Sequence, residues 1–231
     1  MVAIAVVLTG CAPGTTASSS TGPVSSSPLA TGAATPVPAA PGPGRATENR
    51  EVSGFTGVEL TAIGDLRIEQ TGTDSLTIEA DTDVLRQLTS DVSGGILRLG
   101  VLPGATIDDS GPIVYRLTAA TLDSITVSGA GDVTAANLRT GRLAVQISGA
   151  GEMTLTGTVD SQTVTISGTG KYNAEGLPSA TAEISIRGAG NAILRVSDRL
   201  DATVSGVGSV EYIGDPQVSK DISGVGTVKR R

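Results

Sequence analysis

The chain has 231 residues and a formal net charge of −7, with 31 glycines, one cysteine and no histidine or tryptophan. Without histidine it lacks the usual general base and the commonest metal ligand, and a single cysteine excludes an internal disulfide and a cysteine-built zinc site. The negative charge argues against an electrostatic grip on nucleic acid, and frequent Val, Ile and Thr favour strands over helices.

Residues 2–8 are uniformly apolar and too short to span a membrane, which takes about 20 such residues. They have the character of the apolar part of a secretory signal. They run into Leu8-Thr9-Gly10-Cys11, which resembles the bacterial lipobox. There, small residues precede a cysteine whose thiol takes a diacylglycerol. Residues 1–11 are therefore read as a truncated signal segment and lipobox, with Cys11 the lipid attachment site. No Lys or Arg precedes the apolar run, so the true start codon is expected upstream. The expected location is extracytoplasmic, lipid-anchored to the bacterial cell membrane or cell surface.

Residues 12–46 are almost entirely Ser, Thr, Pro, Gly and Ala, with Arg45 the first charged residue. Such a segment cannot bury enough apolar surface to offset chain entropy, so a disordered tether is expected, roughly 30 Å end to end as a coil.

The folded domain is expected at 47–231, in an irregular part over 47–121 and a regular part over 122–231. In the first, Val58-Glu-Leu60, Leu66-Arg-Ile68, Leu76-Thr-Ile78 and Ile96-Leu-Arg-Leu99 read as strands, and Asp83 to Thr89 as a place for one helical turn. Ile63-Gly64-Asp65 is a degenerate copy of a corner that recurs later. This part is expected to supply irregular turns that cap the regular ones.

In the regular part, related pentapeptides begin at Ser128, Ser148, Ser167, Arg187, Ser205 and Ser223, each containing Gly-x-Gly, at steps of 20, 19, 20, 18 and 18. Alternating strands precede each corner and an apolar residue follows it: Val133, Met153, Tyr172, Ala192, Val210 or Val228. The pattern predicts an all-β, parallel β-helix-like solenoid of about 18–20 residues per turn. Val127, Ile147, Ile166, Ile186, Val204 and Ile222 form one inward column. The position held by Ile125, Val145, Val164, Ile184 and Ala202 becomes Lys220 in the last repeat, which marks a final turn open to solvent. Glycine is expected at the corners because it takes positive φ at little cost.

The corners, the opening Phe55-Thr-Gly-Val58 and the segment from Leu122 to Gly131 resemble the bacterial "putative auto-transporter adhesin, head GIN" domain over about residues 52–231. The resemblance implies a right-handed β-helix-like fold and an envelope location, and it supplies no catalytic residues.

The residue after each corner is Asp132, Glu152, Lys171, Asn191, Ser209 or Thr227. Stacked, these make a polar, ligand-binding stripe in which Asp132 above Glu152 could bind a cation or serve as an acid/base pair. The drift to other polar residues favours an outward position that tolerates any of them. Tyr212 is the best candidate for an exposed aromatic that stacks on a sugar ring. The functional expectation is a non-catalytic binding or adhesion module that needs no cofactor or metal. Its partners are the membrane, through lipid on Cys11, and an envelope protein or glycan. The body is expected to be a monomer, with Lys220 and the Lys229-Arg230-Arg231 tail opposing end-to-end stacking. The alternatives are a structural or sensory partner of another envelope protein and a polysaccharide-active enzyme, which would need a charged cleft.

Overall fold

The computed structural model describes residues 44–107 and 111–231. The signal segment and lipobox with Cys11, and the linker through residue 43, lie outside the described residues. The body begins slightly earlier than the sequence pattern suggests. β1 (Arg45–Arg50) takes in Arg45 and Ala46 because its backbone pairs antiparallel with a later strand, Arg45 opposite Asp81.

The first part comprises β1, β2 (Gly57–Leu60), β3 (Asp65–Gln70), β4 (Ser75–Asp81), the single helical turn α1 (Thr82–Leu85), β5 (Leu88–Ser93), β6 (Ile96–Val101) and β7 (Val114–Ala119). The regular part comprises β8 (Ser124–Val127), β9 (Val133–Ile147), β10 (Ala150–Ile166), β11 (Thr169–Ile186), β12 (Ala189–Val204), β13 (Val207–Ile213), β14 (Gln217–Ile222) and β15 (Val225–Arg230). All belong to one sheet wound into a β-solenoid.

From β8 onward every pairing is parallel, each coil on the one before it. The columns read from the sequence are the columns of the ladder. Ile125 pairs Val145, which pairs Val164, then Ile184 and Ala202, and all five are buried. The parallel column from Val127 to Val204 is buried likewise, but its last member, Ile222, is 39% exposed. The reason is positional: among the described residues no further coil packs on β14. Lys220 sits beside Ala202 in register and is exposed, as expected of a final coil.

The column after the corners runs through both parts, from Ile78 by way of Tyr115 and Leu66 to Val133, Met153, Tyr172, Ala192 and Val210. Beside it, Gln162 and Ser179 are the buried polar residues among the described ones, tyrosines aside. The Tyr172 hydroxyl donates to Gln162 Oε1 at 2.7 Å, Gln162 Nε2 donates to Ser179 Oγ at 2.8 Å, and that hydroxyl donates to the Arg195 carbonyl at 3.3 Å. Buried polar atoms are tolerable when they are satisfied in this way.

The first part departs from a simple run of turns, because its chain order is not its stacking order. β2 and β3 form a coil that lies directly under β8 and β9, while β6 and β7 stack on its other side. β4 and β5 then run antiparallel to β7 and β6, and β1 antiparallel to β4. Antiparallel partners need only short turns, so reversing direction closes the end of the stack quickly. The β5–β6 turn is Gly94-Gly95, with φ of +60° and +78°, values a two-residue hairpin demands.

Candidate functional site

The corners stack as closely as the strands do. The Gly129 carbonyl accepts the Ala150 N–H at 3.1 Å, the Gly149 carbonyl the Thr169 N–H at 3.0 Å, and the Gly168 carbonyl the Ala189 N–H at 3.0 Å. The ladder therefore continues around the bend without interruption. This close approach, rather than positive φ, is what requires glycine. A Cβ on Gly149, Gly168, Gly188 or Gly206 would fall on the carbonyl oxygen of the corresponding glycine one coil earlier. Of the twelve glycines in the six corners only Gly131 and Gly151 take positive φ, at +152° and +148°. The expectation of positive-φ corners is corrected accordingly. The degenerate copy is real: Ile63 bridges Ala130, and the Gly64 N–H donates to the Ala130 carbonyl at 3.0 Å.

With two rows of glycine side by side, the surface at the corners is hollowed. The middle residues form an exposed line, Ile63, Ala130, Ala150, Thr169, Ala189, Val207 and Val225, each paired with the next. Six steps of about 4.8 Å make that line roughly 29 Å long. Ile63, Val207 and Val225 are 56%, 59% and 75% exposed, against the rule that large apolar side chains turn inward. Along one flank runs the polar stripe. Between the two lies an open groove of about 530 Å³, lined by Asp132, Glu152, Lys171, Asn191, Ala189 and Val207 with the intervening glycines.

Asp132 and Glu152, singled out from the sequence, both face this groove and are exposed. Asp132 also braces the stack, because its Oδ1 accepts the backbone N–H of Glu152 at 2.8 Å. Asn191 does the same further along, its Oδ1 accepting the Ser209 N–H at 3.1 Å and hydroxyl at 2.9 Å. A stripe side chain of this length reaches the next coil's amide at the bend. Glu152 and Lys171 stand next to each other in register with opposite charge. Tyr212 is not brought to this face. It is half-buried, packs against the core beyond Leu194, and so is no open stacking platform. Cys11 lies outside the described residues.

Sequence reasoning missed the middle residues. Beyond Ile63 each is an unremarkable Ala, Thr or Val, and the signal was available only by reading the third residue of every pentapeptide downward as one column. The basic tail, too, is held by the body rather than free in solvent. Lys229 pairs with Glu211 at 2.9 Å, Arg230 with Asp215 at 3.0 Å and Arg231 with Glu175 at 3.0 Å, on acids of earlier coils.

Comparison with known proteins places this geometry. A crystal structure from Bacteroides fragilis NCTC 9343, described as a putative adhesin, shares the fold at TM-score 0.67 and 23% identity, covering 83% of this chain and 99% of that one. Another so described, from Parabacteroides distasonis ATCC 8503, has TM-score 0.52 and 18% identity, covering 81% of this chain and 97% of that one. At such identities the likeness is one of fold. No curated protein matches the chain. The family model described as "Putative auto-transporter adhesin, head GIN domain" matches residues 54–216, and the chain belongs to that family.

Proposed function

We propose that this family member is a non-catalytic binding or adhesion module of the cell envelope, held outside the cytoplasm by lipid on Cys11 and spaced from the membrane by the tether that runs from residue 12 to the start of β1. The observation that supports binding is the corner face. It is long and hollowed, it carries an exposed apolar line beside a polar stripe, and its backbone is fixed by a ladder that continues through the corners. Such a surface suits an extended partner laid along the solenoid axis, an envelope protein or glycan, because apolar and polar contacts repeat with every coil. Membership of an adhesin-named family supports the same reading. Asp132 is engaged by the Glu152 amide, which argues against using the pair as acid and base.

The test is attachment of the purified chain to intact bacterial cells that lack it. Ala150→Arg together with Ala189→Arg places two long side chains in the exposed line without touching the core. Attachment should fall about tenfold or more, as loss of a central contact does, while the circular dichroism spectrum stays unchanged. Equal attachment by the variant would overturn the corner face as the binding surface. The anchor is tested separately: Cys11→Ser should leave the membrane fraction, since acyl chains are what hold such a protein there. Fatty-acid-labelled, membrane-bound Cys11→Ser protein would overturn that half of the reading.

A second reading, docking onto another envelope protein, is favoured by the last coil. Val218 and Ile222 are 37% and 39% exposed there, and β14 and β15 each have one unpaired edge among the described residues. Lys220 and Arg230 occupy its inward positions, beside Ala202 and Tyr212. A second copy docked through this same end would set Lys220 near its own counterpart, so this reading keeps the two last coils from pairing with each other.

A further inference from the structure

We propose a second binding site, away from the corner face, on the outward side of β3, β4 and β7, for a polyol chain that carries carboxylate or phosphate groups. Arg67 and Arg116 are directly opposed in register on neighbouring parallel strands, and both are exposed. They share a groove of about 650 Å³ with the hydroxyl residues Ser75, Thr77, Thr118 and Thr134.

Two like charges at opposed positions of a sheet repel one another. Nearby carboxylates relieve this pair only at Arg116, and weakly. Glu79 is divided between Arg45 at 3.5 Å and Arg116 at 3.9 Å. Glu69, two residues from Arg67, also lines the groove and accepts a hydrogen bond from Asn137 Nδ2 at 3.0 Å. Among the described residues Arg67 has no carboxylate partner. Two adjacent guanidinium forks therefore point into a concave surface with unspent donors, in a chain whose net charge is −7. That arrangement matches an anion taken bidentately, by carboxylate or by phosphate.

The hydroxyls supply the second half of the recognition. Ser75 Oγ and Thr118 Oγ1 are 2.8 Å apart and hydrogen-bonded, and Thr77 Oγ1 donates to Asn49 Oδ1 at 2.8 Å, which fixes their orientation at the groove wall. Ring or chain hydroxyls of a ligand would meet oxygen atoms there, and its anionic groups would meet the arginines. The site uses none of the corner residues, so it stands or falls apart from the corner face.

The experiment titrates the purified full chain by calorimetry with three polymers: polygalacturonate, poly(glycerol phosphate) and uncharged dextran. Binding of at least one anionic polymer, weakened by salt, and no binding of dextran is expected. The tighter of the two anions identifies carboxylate or phosphate as the recognised group. Arg67→Gln and Arg116→Gln should each weaken binding about tenfold, the scale of a hydrogen-bonded charge. Arg86→Gln, which removes an exposed arginine that does not line the groove, should leave it unchanged. The proposal is overturned if neither anionic polymer binds at low salt. It is also overturned if the double arginine variant, with an unaltered circular dichroism spectrum, binds as the parent does.

Discussion

In the hairpin that joins β5 to β6, Gly94 and Gly95 adopt left-handed backbone angles and have open space where a side chain would stand. In the stack, Gly168 and Gly188 have no such angles, yet a Cβ on either would collide with a carbonyl of the coil beneath. The same residue is required in the cap by torsion and in the regular coils by contact. A torsional need can be met by asparagine, which tolerates the left-handed region. A need created by a neighbouring backbone admits no substitute, because the obstacle cannot rotate away. The two halves should therefore respond to mutation in different ways.

The largest expected effect breaks the stack at a corner. Gly188→Ala should cost about 3 kcal/mol, since overpacking against backbone forces the coils apart. Gly94→Asn in the cap should be close to neutral. Both are read from denaturant midpoints, and similar losses for the two variants would end the distinction.

The next comparison uses the tyrosines, one in each half of a shared inward column. Tyr172 donates to Gln162, whereas the buried Tyr115 hydroxyl has no partner among the described residues. Tyr172→Phe should cost about 2 kcal/mol by stranding the Gln162 oxygen. Tyr115→Phe should be neutral or slightly stabilising. Burial also pushes both phenols up from their ordinary range, opposed at Tyr115 in part by Arg50. A folded-state pKa raised above the unfolded value means that this contribution is intact below about pH 10 and lost as pH rises further. Ultraviolet titration should find Tyr115 and Tyr172 ionising only together with unfolding. Phenolate from either in a chain with native circular dichroism would contradict their burial.

The smallest effect belongs to the polar stripe. Glu152→Gln changes an exposed side chain whose own carboxylate is not needed by the ladder, and should stay within about 0.5 kcal/mol of the parent. A loss as large as that at Gly188 would make the stripe structural throughout.

The regular coils were legible in the sequence because stacking in register repeats each environment. Val145, Val164 and Ile184 meet the same neighbours, so they are chosen alike and the period shows. The cap obeys no such rule. That β4 pairs antiparallel with β7, Ser75 opposite Thr118, follows from which surface needs covering, across some forty residues of chain, and no local pattern carries it. The corner line was hidden for the opposite reason. Ala130, Ala150 and Ala189 are too plain to attract notice singly and acquire meaning only when superposed. The arginine pair was invisible as well, because Arg67 and Arg116 become neighbours only through the β3–β7 pairing.

The order of stacking has a consequence for how the protein is made. Every partner of β1 and of β4 to β7 lies within residues 45–119. Once that length is free to fold, the cap can be complete, leaving β2 and β3 with one unpaired edge each, side by side. Each later coil of about 19 residues then meets a finished template and has a single parallel place to settle. Growth is thus directional, like a crystal extending from one face. Register errors, the usual hazard of repeated sequence, are limited because the next vacant edge is always the one just laid down.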